Sequence, residues 1–427
     1  MNISKLYIDN FREFYDTVIP LQKVNFLVGE NSTGKTSLLK LIDLISSPEF
    51  WFNGNFRTDN VDFSYFGDIS STSKGDSNQT KIGVLYENED DNNNTVYSAL
   101  LITVAAGPNK RTILKDIRCS FEGKELSIQV RKRISYKYTS ETSFSFDNFG
   151  EWCNEKIDST GYTRLKKEPK LYMDDSPYFI INSLSRKHEN NDDTSVPPFV
   201  NTVAPYTWIA PIRIKPQLTY DGNVYDYSSD GAHAPYILKT IMSKRGNNHT
   251  KKIVAILEKF GKESGLFDSV YVKQFAKYGN SPFSIEVVKD GVEREITNVG
   301  YGVSQVLPIV IEILDHSNYR FAIQQPEVHL HPKAQASLGN FFFDIAVDYQ
   351  ARFVIETHSD FVIDRFRQQI AKSKNPPITG QVLFLEHKDG KNIVYCINVN
   401  SDGSYSENQP DSFRRFFFNE ELKNITL

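Results

Sequence analysis

Hydrophobic and polar positions alternate at the start of the chain, and a second apolar run follows a short polar stretch. The apolar positions of the first run are Ile3, Leu6 and Ile8, and the second run covers residues 24–28. Short runs of this kind are typical of β-strands. Residues 36–45 then place leucine and isoleucine at helical spacing. Strand, glycine-rich turn and helix follow one another in the order that a phosphate-binding loop requires.

The chain between residues 53 and 205 has a different character. Asn, Asp, Ser and Thr dominate it, and short candidate strands lie at 81–86, 97–105 and 126–130. A disordered spacer would lack the aromatic and β-branched residues that keep recurring here. We therefore predict a β-rich insertion with mobile polar loops.

From residue 206 onward the pattern of buried strands and helices resumes. A strand is predicted at 206–213 and a helix from about residue 236, and strands alternate with helices from residue 284 on. The prediction is an α/β fold in which the first and third parts form one head, a mixed sheet with flanking helices, and the second part is inserted into it. The three parts are residues 1–52, 53–205 and 206–427.

Composition and charge narrow the functional classes. The chain has 427 residues, 39% hydrophobic and 24% charged, as globular proteins do, and its net charge of −4 predicts no overall attraction to nucleic acid. Cys119, Cys153 and Cys396 are widely spaced, which argues against a disulfide framework or a zinc knuckle and fits a reducing cytosol. The sequence shows neither the apolar core of a signal peptide nor an apolar run of membrane-spanning length. We expect a cytoplasmic protein that does not bind membranes.

Residues 29–36 match the pattern GxxxxGK[ST] in full. Gly29 and Gly34 allow backbone geometry that a side chain would block, so that N–H groups turn towards phosphate oxygens at a helix N-terminus. Lys35 is expected to reach the β- and γ-phosphates, and the Thr36 hydroxyl to bind Mg²⁺. The sequence thus predicts ATP and Mg²⁺ as ligands. The predicted nucleotide-binding residues of this loop are Asn31, Ser32, Thr33, Gly34, Lys35, Thr36 and Ser37.

Three later segments carry further motifs. Residues 298–308 form a glycine-rich turn that leads into an apolar helix, residues 319–332 form an apolar strand that runs into polar residues, and residues 352–360 form another strand followed by a histidine. Together with the phosphate loop, these segments resemble the ABC-type ATPases of the overcoming-lysogeny, RecF and SMC-like group. The resemblance is closest to short bacterial members without a long coiled coil, and it covers about residues 1–50 and 206–370.

This resemblance implies an ABC-type ATPase head that works as a head-to-tail dimer. In that arrangement Gly300, Gly302 and Ser304 form the signature turn, which caps the ATP held by Lys35 of the other subunit. One nucleotide then joins two protein surfaces. The implied assembly is a homodimer or a higher homo-oligomer with ATP between its heads.

In this family the segment at residues 319–332 is the Walker B motif, and here it departs from the family pattern. The family has two acidic residues at the end of the Walker B strand, where this chain has Gln324 and Gln325. A glutamine can orient water but cannot take a proton, and the loss of a general base typically costs roughly 10²- to 10⁴-fold in rate. Two explanations stay open: an engineered Glu→Gln substitution at Gln324 that traps ATP, or a natural switch that hydrolyses ATP slowly. Glu327 and Glu356 are nearby acids that could partly substitute.

The predicted catalytic residues are Gln324, Gln325 and His358. The resemblance makes His358 the switch histidine that senses the γ-phosphate. A zinc site at His329 and His331 is disfavoured, because two such residues on a loop lack further ligands and no cysteine lies near.

The resemblance also suggests a biological role. Related ATPases with their own nuclease add a metal-binding domain after the switch histidine, whereas 69 residues follow His358 here. The leading hypothesis is an ATPase similar to those of the Septu and PARIS antiphage-defence systems, which controls a separate effector, a nuclease. The segment at 53–205 is the expected place for partner contacts, because polar loops on a rigid scaffold often carry recognition.

The alternative is a RecF-like or SMC-like clamp that binds DNA during repair. Its support is a basic cluster at residues 131–133, with Tyr136 and Tyr138 beside it, and a second cluster at 164–167. Solvated strand faces explain both clusters without any nucleic acid.

Overall fold

The computed structural model describes residues 2–71, 78–89, 94–142, 144–156, 160–164, 176–188, 205–221, 226–244, 246–276, 281–316, 319–373, 378–407 and 409–416. The chain divides into two compact units. The first consists of Met1–Gln22, Glu30–Tyr206 and Leu385–Cys396, and the second of Lys23–Gly29, Thr207–Phe384 and Ile397–Leu427.

Strands and helices are numbered here along the described residues. The strands are β1 Asn2–Asp9, β2 Thr17–Pro20, β3 Val24–Gly29, β4 Gln79–Glu89, β5 Thr95–Ala106, β6 Thr112–Phe121, β7 Lys124–Val130, β8 Ile134–Thr139, β9 Thr163–Arg164, β10 Thr207–Ile209, β11 Ser269–Gln274, β12 Phe283–Lys289, β13 Val292–Glu295, β14 Arg320–Gln324, β15 Arg352–Glu356, β16 Gly380–Lys388 and β17 Lys391–Asn398. The helices are α1 Lys35–Ser46, α2 Pro48–Asn53, α3 Phe149–Asn154, α4 Pro177–His188, α5 Ala234–Ser243, α6 Asn248–Ser264, α7 Tyr301–Asp315, α8 Pro332–Asp348 and α9 Asp360–Lys372.

The first unit is built on an antiparallel sheet in the order β2-β1-β4-β5-β6-β7-β8-β9. The strands predicted at 81–86, 97–105 and 126–130 are confirmed as parts of β4, β5 and β7. The first strand of the chain joins the same sheet, with Leu6 opposite Val84. The division of the chain at residues 52 and 205 stays a prediction, and the polar stretches near 90–93 and 189–194 lie outside the described residues.

A buried ionic network holds α3 against the sheet of the first unit. Arg118 donates to both carboxylate oxygens of Glu125, at 2.8 and 3.0 Å, to Glu155 at 3.0 Å and to the carbonyl of Trp152 at 2.8 Å. The indole nitrogen of Trp152 also donates to Glu125, at 2.9 Å. Nearly every strong donor and acceptor in the network has a partner, which is the condition under which buried charges are tolerated.

The second unit contains a parallel group of strands in the spatial order β10, β14, β15, β3. Residues 380–384 of β16 continue this sheet beyond β3. β16 and β17 form a hairpin, which the two-residue turn Asp389–Gly390 closes with φ of 52° and 71°. The α/β fold with a mixed sheet and flanking helices is therefore confirmed. A second, antiparallel sheet has the order β11-β12-β13.

Parallel strands require crossover connections, and α8 and α9 provide them in this unit. α8 connects β14 to β15, and α9 follows β15. Their buried faces are rich in aromatic residues: the ring of Phe366 on α9 lies 5.2 Å from that of Phe26 on β3. Within the described part of the chain no helix is both long enough and apolar enough to cross a membrane.

Candidate nucleotide-binding site

The loop between β3 and α1 has the backbone shape that its glycines predict. Gly29 has φ of 148° and Gly34 has φ of 95°, and Ser32 between them adopts φ of 66°. Gly34 is the N-cap of α1 in a left-handed conformation that other residues rarely adopt. The predicted strand, glycine turn and helix are therefore confirmed as local structure.

Gly34 is required for a second reason, the close approach of Phe14. A Cβ atom at Gly34 would lie 2.5 Å from Cζ of the Phe14 ring, which is fully buried. Asn392 lies on the same side, and its amide donates to the carbonyl of Arg12 at 2.9 Å. Gly34 thus lets the loop approach Phe14 so closely that any side chain at this position would collide with the ring.

The side chains of the loop differ in their burial and in their hydrogen bonds. Lys35 is buried, and its Nζ donates to the carbonyl of Glu30 at 2.6 Å, while the Thr33 hydroxyl donates to the same carbonyl at 2.9 Å. Asn31 and Ser32 are exposed, and Thr36 is half-buried. The ammonium group is therefore turned into the loop, where an anion would compete with the carbonyl of Glu30 for it.

Arg12 supports the first turn of α1, a role that sequence reasoning missed. Its Nη1 donates to the Ser37 hydroxyl at 3.1 Å and its Nε to the carbonyl of Asp68 at 2.7 Å, and the guanidinium lies 5.0 Å from the ring centre of Phe63. Burial lowers the pKa of Arg12, and Asp68 opposes that shift. Neither spacing nor composition signals these contacts, because the partners lie 25 and 56 residues away.

In the second unit, the carboxyl ends of β14, β15 and β3 lie side by side. Gln324 is the register partner of Glu356, and Glu356 is the register partner of Leu27, two residues before the glycine loop begins. The backbone N–H of Gln325 donates to the carbonyl of Glu356 at 2.7 Å, and that of Thr357 donates to the carbonyl of Leu27 at 3.1 Å. In α/β sheets this edge is where ligands bind.

Glu356 is the acid that lies beside the Walker B glutamines. Nε2 of Gln324 donates to Oε2 of Glu356 at 3.1 Å, and Glu356 is 5% exposed. Gln325 turns the chain with φ of 43°. The Gln324 amide therefore already serves as a hydrogen-bond donor to a buried carboxylate.

Glu327 does not contact Gln324 in this way but faces residues 357–359, the segment around the predicted switch histidine, called the switch segment below. Its Oε1 accepts a hydrogen bond of 2.8 Å from the backbone N–H of His358, whose side chain is exposed. Burial raises the pKa of Glu327, and the hydrogen bond from His358 and the positive charge of Arg213 oppose that shift. Nη2 of Arg213 donates to the carbonyls of Gln324 and Gln325, at 3.2 and 3.4 Å.

The predicted signature turn begins α7 in the same unit. Gly300 is the exposed N-cap, and a Cβ there would meet no atom within 4 Å. A Cβ at Gly302 would lie 3.0 Å from the carbonyl of His329, and the His329 ring contacts Tyr301 at 4.8 Å. The Ser304 hydroxyl is buried and donates to the carbonyl of Tyr301 at 2.8 Å. Of the three predicted capping residues, Gly300 is the one that is open to a partner.

The loop after β14 and the switch segment are joined by side chains. Gln335 on α8 donates to the carbonyl of Leu330 at 2.7 Å and accepts from the Ser359 hydroxyl at 2.7 Å. Ser359 also caps α9. His331 caps α8 by accepting from the backbone N–H of Ala334 at 3.4 Å. Among the described residues no cluster of three His, Cys, Asp or Glu side chains could hold a metal ion.

The structure therefore gathers the predicted residues in two groups. Asn31 to Ser37 lie together in the first unit. Gln324, Gln325 and His358 lie at one edge of the sheet in the second unit, and the signature turn packs against the loop that follows Gln325.

The basic cluster at 131–133 is partly neutralised in the first unit. Nη2 of Arg131 pairs with the carboxylate of Asp116 at 3.0 Å, and Nη1 donates to the carbonyl of Lys115 at 2.6 Å. Lys132 and Arg133 are exposed. Of the second cluster, Arg164 is described and exposed, and residues 165–167 lie outside the described residues.

Comparison with solved structures finds head domains of SMC proteins. An SMC head bound to the C-winged helix domain of ScpA is 12% identical with a TM-score of 0.48, covering 94% of this chain and 98% of that one. The SMC head of Thermotoga maritima is 10% identical with a TM-score of 0.43, covering 93% and 99%. An SMC head with an extended coiled coil from Pyrococcus furiosus, bound to the C-terminal domain of ScpA, is 10% identical with a TM-score of 0.43, covering 99% of each chain. No conclusion about this chain rests on similarities of this size.

The family comparison reaches further. No curated protein matches the chain significantly. A family model described as an AAA ATPase domain matches residues 1–363, which include the glycine loop, the signature turn and the switch segment. The chain therefore belongs to the AAA ATPase domain family.

Proposed function

We propose that this chain is an ABC-type ATPase that binds ATP with Mg²⁺ and hydrolyses it slowly. The observation that carries the proposal is the state of Lys35, whose buried ammonium is turned into a glycine loop at the N-terminus of α1. A triphosphate would compete with the carbonyl of Glu30 for this ammonium, and backbone N–H groups of the glycine loop at the start of α1 would be its further donors. Asn31 to Ser37 are the proposed contacts.

Slow hydrolysis follows from the residues at the sheet edge. Gln324 and Gln325 cannot take a proton from water, and Glu327 is already engaged by His358. Glu356 remains as the carboxylate next to Gln324. We assign Glu356 the electrostatic part that the absent acids would play, and His358 the contact with the γ-phosphate.

The donor set in each unit suits Mg²⁺, which takes oxygen ligands. The Thr36 hydroxyl is half-buried at the start of α1, and Glu356 presents a carboxylate beside the Gln324 amide. When bound, Mg²⁺ neutralises charge that develops on the phosphates. We propose Thr36 as its ligand from the loop.

We further propose that ATP joins two copies head to tail through the signature turn. Gly300 is exposed, its φ of −57° suits any residue, and no atom lies near its Cβ position. An exposed backbone turn at the start of α7 can present N–H groups to the phosphates of a second subunit. The bound nucleotide would then stabilise the dimer by mass action.

The proposal that this dimer controls a separate nuclease in antiphage defence rests on the resemblance to the Septu and PARIS ATPases. A DNA clamp is the competing function, and it would depend on the basic residues near 131–133. The pairing of Arg131 with Asp116 removes part of that positive charge, which weakens the support for a DNA clamp.

The test combines ATP affinity, turnover and particle mass, each measured with and without Mg²⁺. We expect Lys35→Ala to lose ATP affinity, and Gly300→Arg to keep ATP affinity but lose the ATP-dependent dimer. Because Gly300→Arg introduces no internal clash, its thermal stability should match the parent protein.

Mixing the two variants gives the sharpest result. A head-to-tail dimer of one Lys35→Ala copy and one Gly300→Arg copy contains one intact composite site, so ATP-dependent dimerisation should partly return. No recovery would contradict the head-to-tail arrangement. ATP-independent DNA binding that is lost in Lys132→Ala/Arg133→Ala would favour the clamp.

A further inference from the structure

Large apolar side chains are exposed on the segment that follows β10 in the second unit. Ile212 is 81% exposed and Ile214 is 38% exposed, whereas Arg213 between them is 2% exposed, and Leu218 further along is exposed as well. Single apolar residues on a surface are ordinary, but a group of them in one place marks an interaction site. Ile212, Ile214 and Leu218 form the apolar patch.

The exposure of the two isoleucines follows from how Arg213 is held. Nη2 of Arg213 donates to the carbonyls of Gln324 and Gln325, at 3.2 and 3.4 Å. These hydrogen bonds turn the guanidinium towards the end of β14, and the side chains on either side of it face solvent. The segment is therefore anchored at the edge of the sheet where the predicted catalytic residues lie.

The apolar patch begins close to the signature turn of the same unit. Ile214 lines a small pocket together with Ser304 and Leu307 of α7. The pocket has a volume of about 20 Å³, room for about one water molecule, so it reflects packing of the segment on α7 and not a ligand site. Ser304 lies about one helical turn after Gly300, the exposed N-cap of α7.

The first unit exposes an aromatic ring close to the glycine loop. Tyr65 is 44% exposed, and its ring covers Gly67, where a Cβ atom would lie 2.4 Å from it. The carbonyl of the next residue, Asp68, accepts a hydrogen bond from Arg12, which also donates to Ser37 in the first turn of α1. An exposed apolar surface thus accompanies the glycine loop in the first unit, as the apolar patch accompanies the signature turn in the second.

We propose that the apolar patch of one subunit packs on the surface around Tyr65 of the second subunit in the head-to-tail dimer. The inference rests on the proposed function, because that arrangement brings the signature turn of one copy to the glycine loop of the other. Both apolar surfaces are then covered by the same contact, which occurs twice in a symmetric dimer. Apolar side chains of this kind form the core of an interface, and ATP supplies its polar part.

The first test measures the ATP-dependent dimerisation of Ile212→Ser by analytical ultracentrifugation over a range of protein concentrations. Burial of one isoleucine side chain changes an equilibrium constant by roughly tenfold to a hundredfold, and the dimer buries two copies of it. We expect the dissociation constant of the ATP-bound dimer to rise by about a hundredfold. Ile212→Leu keeps the apolar contact and should stay within about threefold of the parent protein.

Two controls separate this effect from misfolding. Ile212 is largely exposed, so Ile212→Ser without nucleotide should unfold at the same temperature as the parent protein. Val292→Ser, at an exposed valine on β13, is the matched variant and should dimerise like the parent. If Ile212→Ser also dimerises like the parent, the proposal is wrong and the patch is left to a different protein. Loss of ATP affinity at concentrations where Ile212→Ser is monomeric would contradict it too, because the patch lies outside the glycine loop.

Mixed dimers show on which side of the interface the patch lies. Ile212→Ser mixed with Lys35→Ala or with Tyr65→Ser leaves one interface in which every contact is intact, so dimerisation should partly return. Ile212→Ser mixed with Gly300→Arg leaves no intact interface, because both substitutions lie on the signature side, and dimerisation should not return. Recovery with Gly300→Arg, or its absence with Tyr65→Ser, would overturn the proposed contact.

Failure of the proposed function gives a different result from failure of this contact. A parent protein that stays monomeric with ATP would refute the head-to-tail dimer, and the contact with it. If the parent dimerises and the mixture of Lys35→Ala with Gly300→Arg recovers, the head-to-tail dimer stands. A normal dimer of Ile212→Ser would then refute the contact alone.

Discussion

Gln324→Glu restores an acid at the end of β14 and places it next to the carboxylate of Glu356. At present the Gln324 amide donates to Oε2 of Glu356 at 3.1 Å, and Glu356 is buried. The substitution replaces a donor with a second carboxylate against a buried one. We therefore expect a stability cost that depends on pH, together with a gain in ATP turnover.

The size of the cost follows from Coulomb repulsion between the two carboxylates. Two like charges about 4 Å apart repel by about 4 kcal/mol at an effective dielectric constant of 20. At about 1.36 kcal/mol per pKa unit, the pair would hold one shared proton to about three pH units above the usual range of glutamate, near pH 7. The folded-state pKa of the new acid is thus raised above its unfolded value of about 4.3.

The raised pKa determines how the stability of the variant changes with pH. Below about pH 4 the new carboxyl group holds its proton in both the folded and the unfolded state, and the variant is as stable as the parent. The penalty grows as the pH rises towards 7, and above that it stays near its maximum of about 4 kcal/mol. Mg²⁺ together with ATP should reduce it, because a bound cation favours the ionised form.

Thermal unfolding of parent and variant at pH 5 and pH 8 measures the loss of stability. The unfolding temperature of the variant should lie below that of the parent by on the order of 10 °C at pH 8. Gln274→Glu, at an exposed glutamine on β11, is the matched control and should show no such dependence. A difference that is independent of pH, or that grows on acidification, would refute the contact between Gln324 and Glu356 as described. Turnover should rise by roughly 10²- to 10⁴-fold if the missing acid limits the rate.

Three further predictions concern the first unit. Asp43 is buried, and burial raises its pKa to about 6. Asp43→Asn should therefore stabilise the protein at pH 8 by up to about 3 kcal/mol, and this gain should disappear as the pH falls through 6 towards 4. Paired thermal unfolding curves measure the gain, and Asp59→Asn, at an exposed position, should not show it. Arg118→Met leaves Glu125 buried without its cation and should cost about 3–5 kcal/mol in thermal unfolding, with no change if the network is dispensable. Gly34→Ala combines φ of 95° with a severe clash and should abolish ATP binding, as measured by titration with a fluorescent ATP analogue; normal affinity would mean that the loop relaxes easily.

The sequence pattern was enough to predict those elements whose structure depends on residues close to each other in the chain. The glycine loop, the helix that starts after Gly300 and the strand before Thr357 were all predicted from residues within a few positions of each other, and each is present. Glycine conformation, capping and alternation act over such distances. The short strand β2 was missed, because its four residues offer too little pattern.

The identity of the important acid could not be predicted in this way. Glu327 is three residues from Gln324 in the chain and Glu356 is 32 residues away, so proximity in sequence favours Glu327. The sheet reverses the order, because β15 lies between β14 and β3 and brings Glu356 to the side of Gln324. Strand order is set by long-range packing, which a pattern along the chain does not contain.

The burial of Arg213 could not be predicted for a related reason. Its neighbours Ile212 and Ile214 are apolar, and a pattern of alternating burial places them inside and Arg213 outside. The structure has the opposite arrangement: Arg213 is buried and donates to two backbone carbonyls, while both isoleucines are exposed. The hydrogen bonds that decide this arrangement come from residues 111 and 112 positions away, which a local pattern does not contain.

The turn after β14 connects the separate motifs of the second unit. Gln324, the last residue of β14, donates to Glu356 on β15. In the turn, Glu327 accepts the backbone N–H of His358, and the carbonyl of His329 lies against Gly302 at the start of α7. None of these contacts can change without moving a neighbour, because interiors are densely packed and respond as units. In the head-to-tail dimer that we propose, a second subunit at the exposed Gly300 is therefore expected to shift the turn after β14, and through it the backbone at His358. On the proposed function, this linkage predicts that Gly300→Arg changes amide exchange at His358 only where ATP brings two copies together, and not in the nucleotide-free protein.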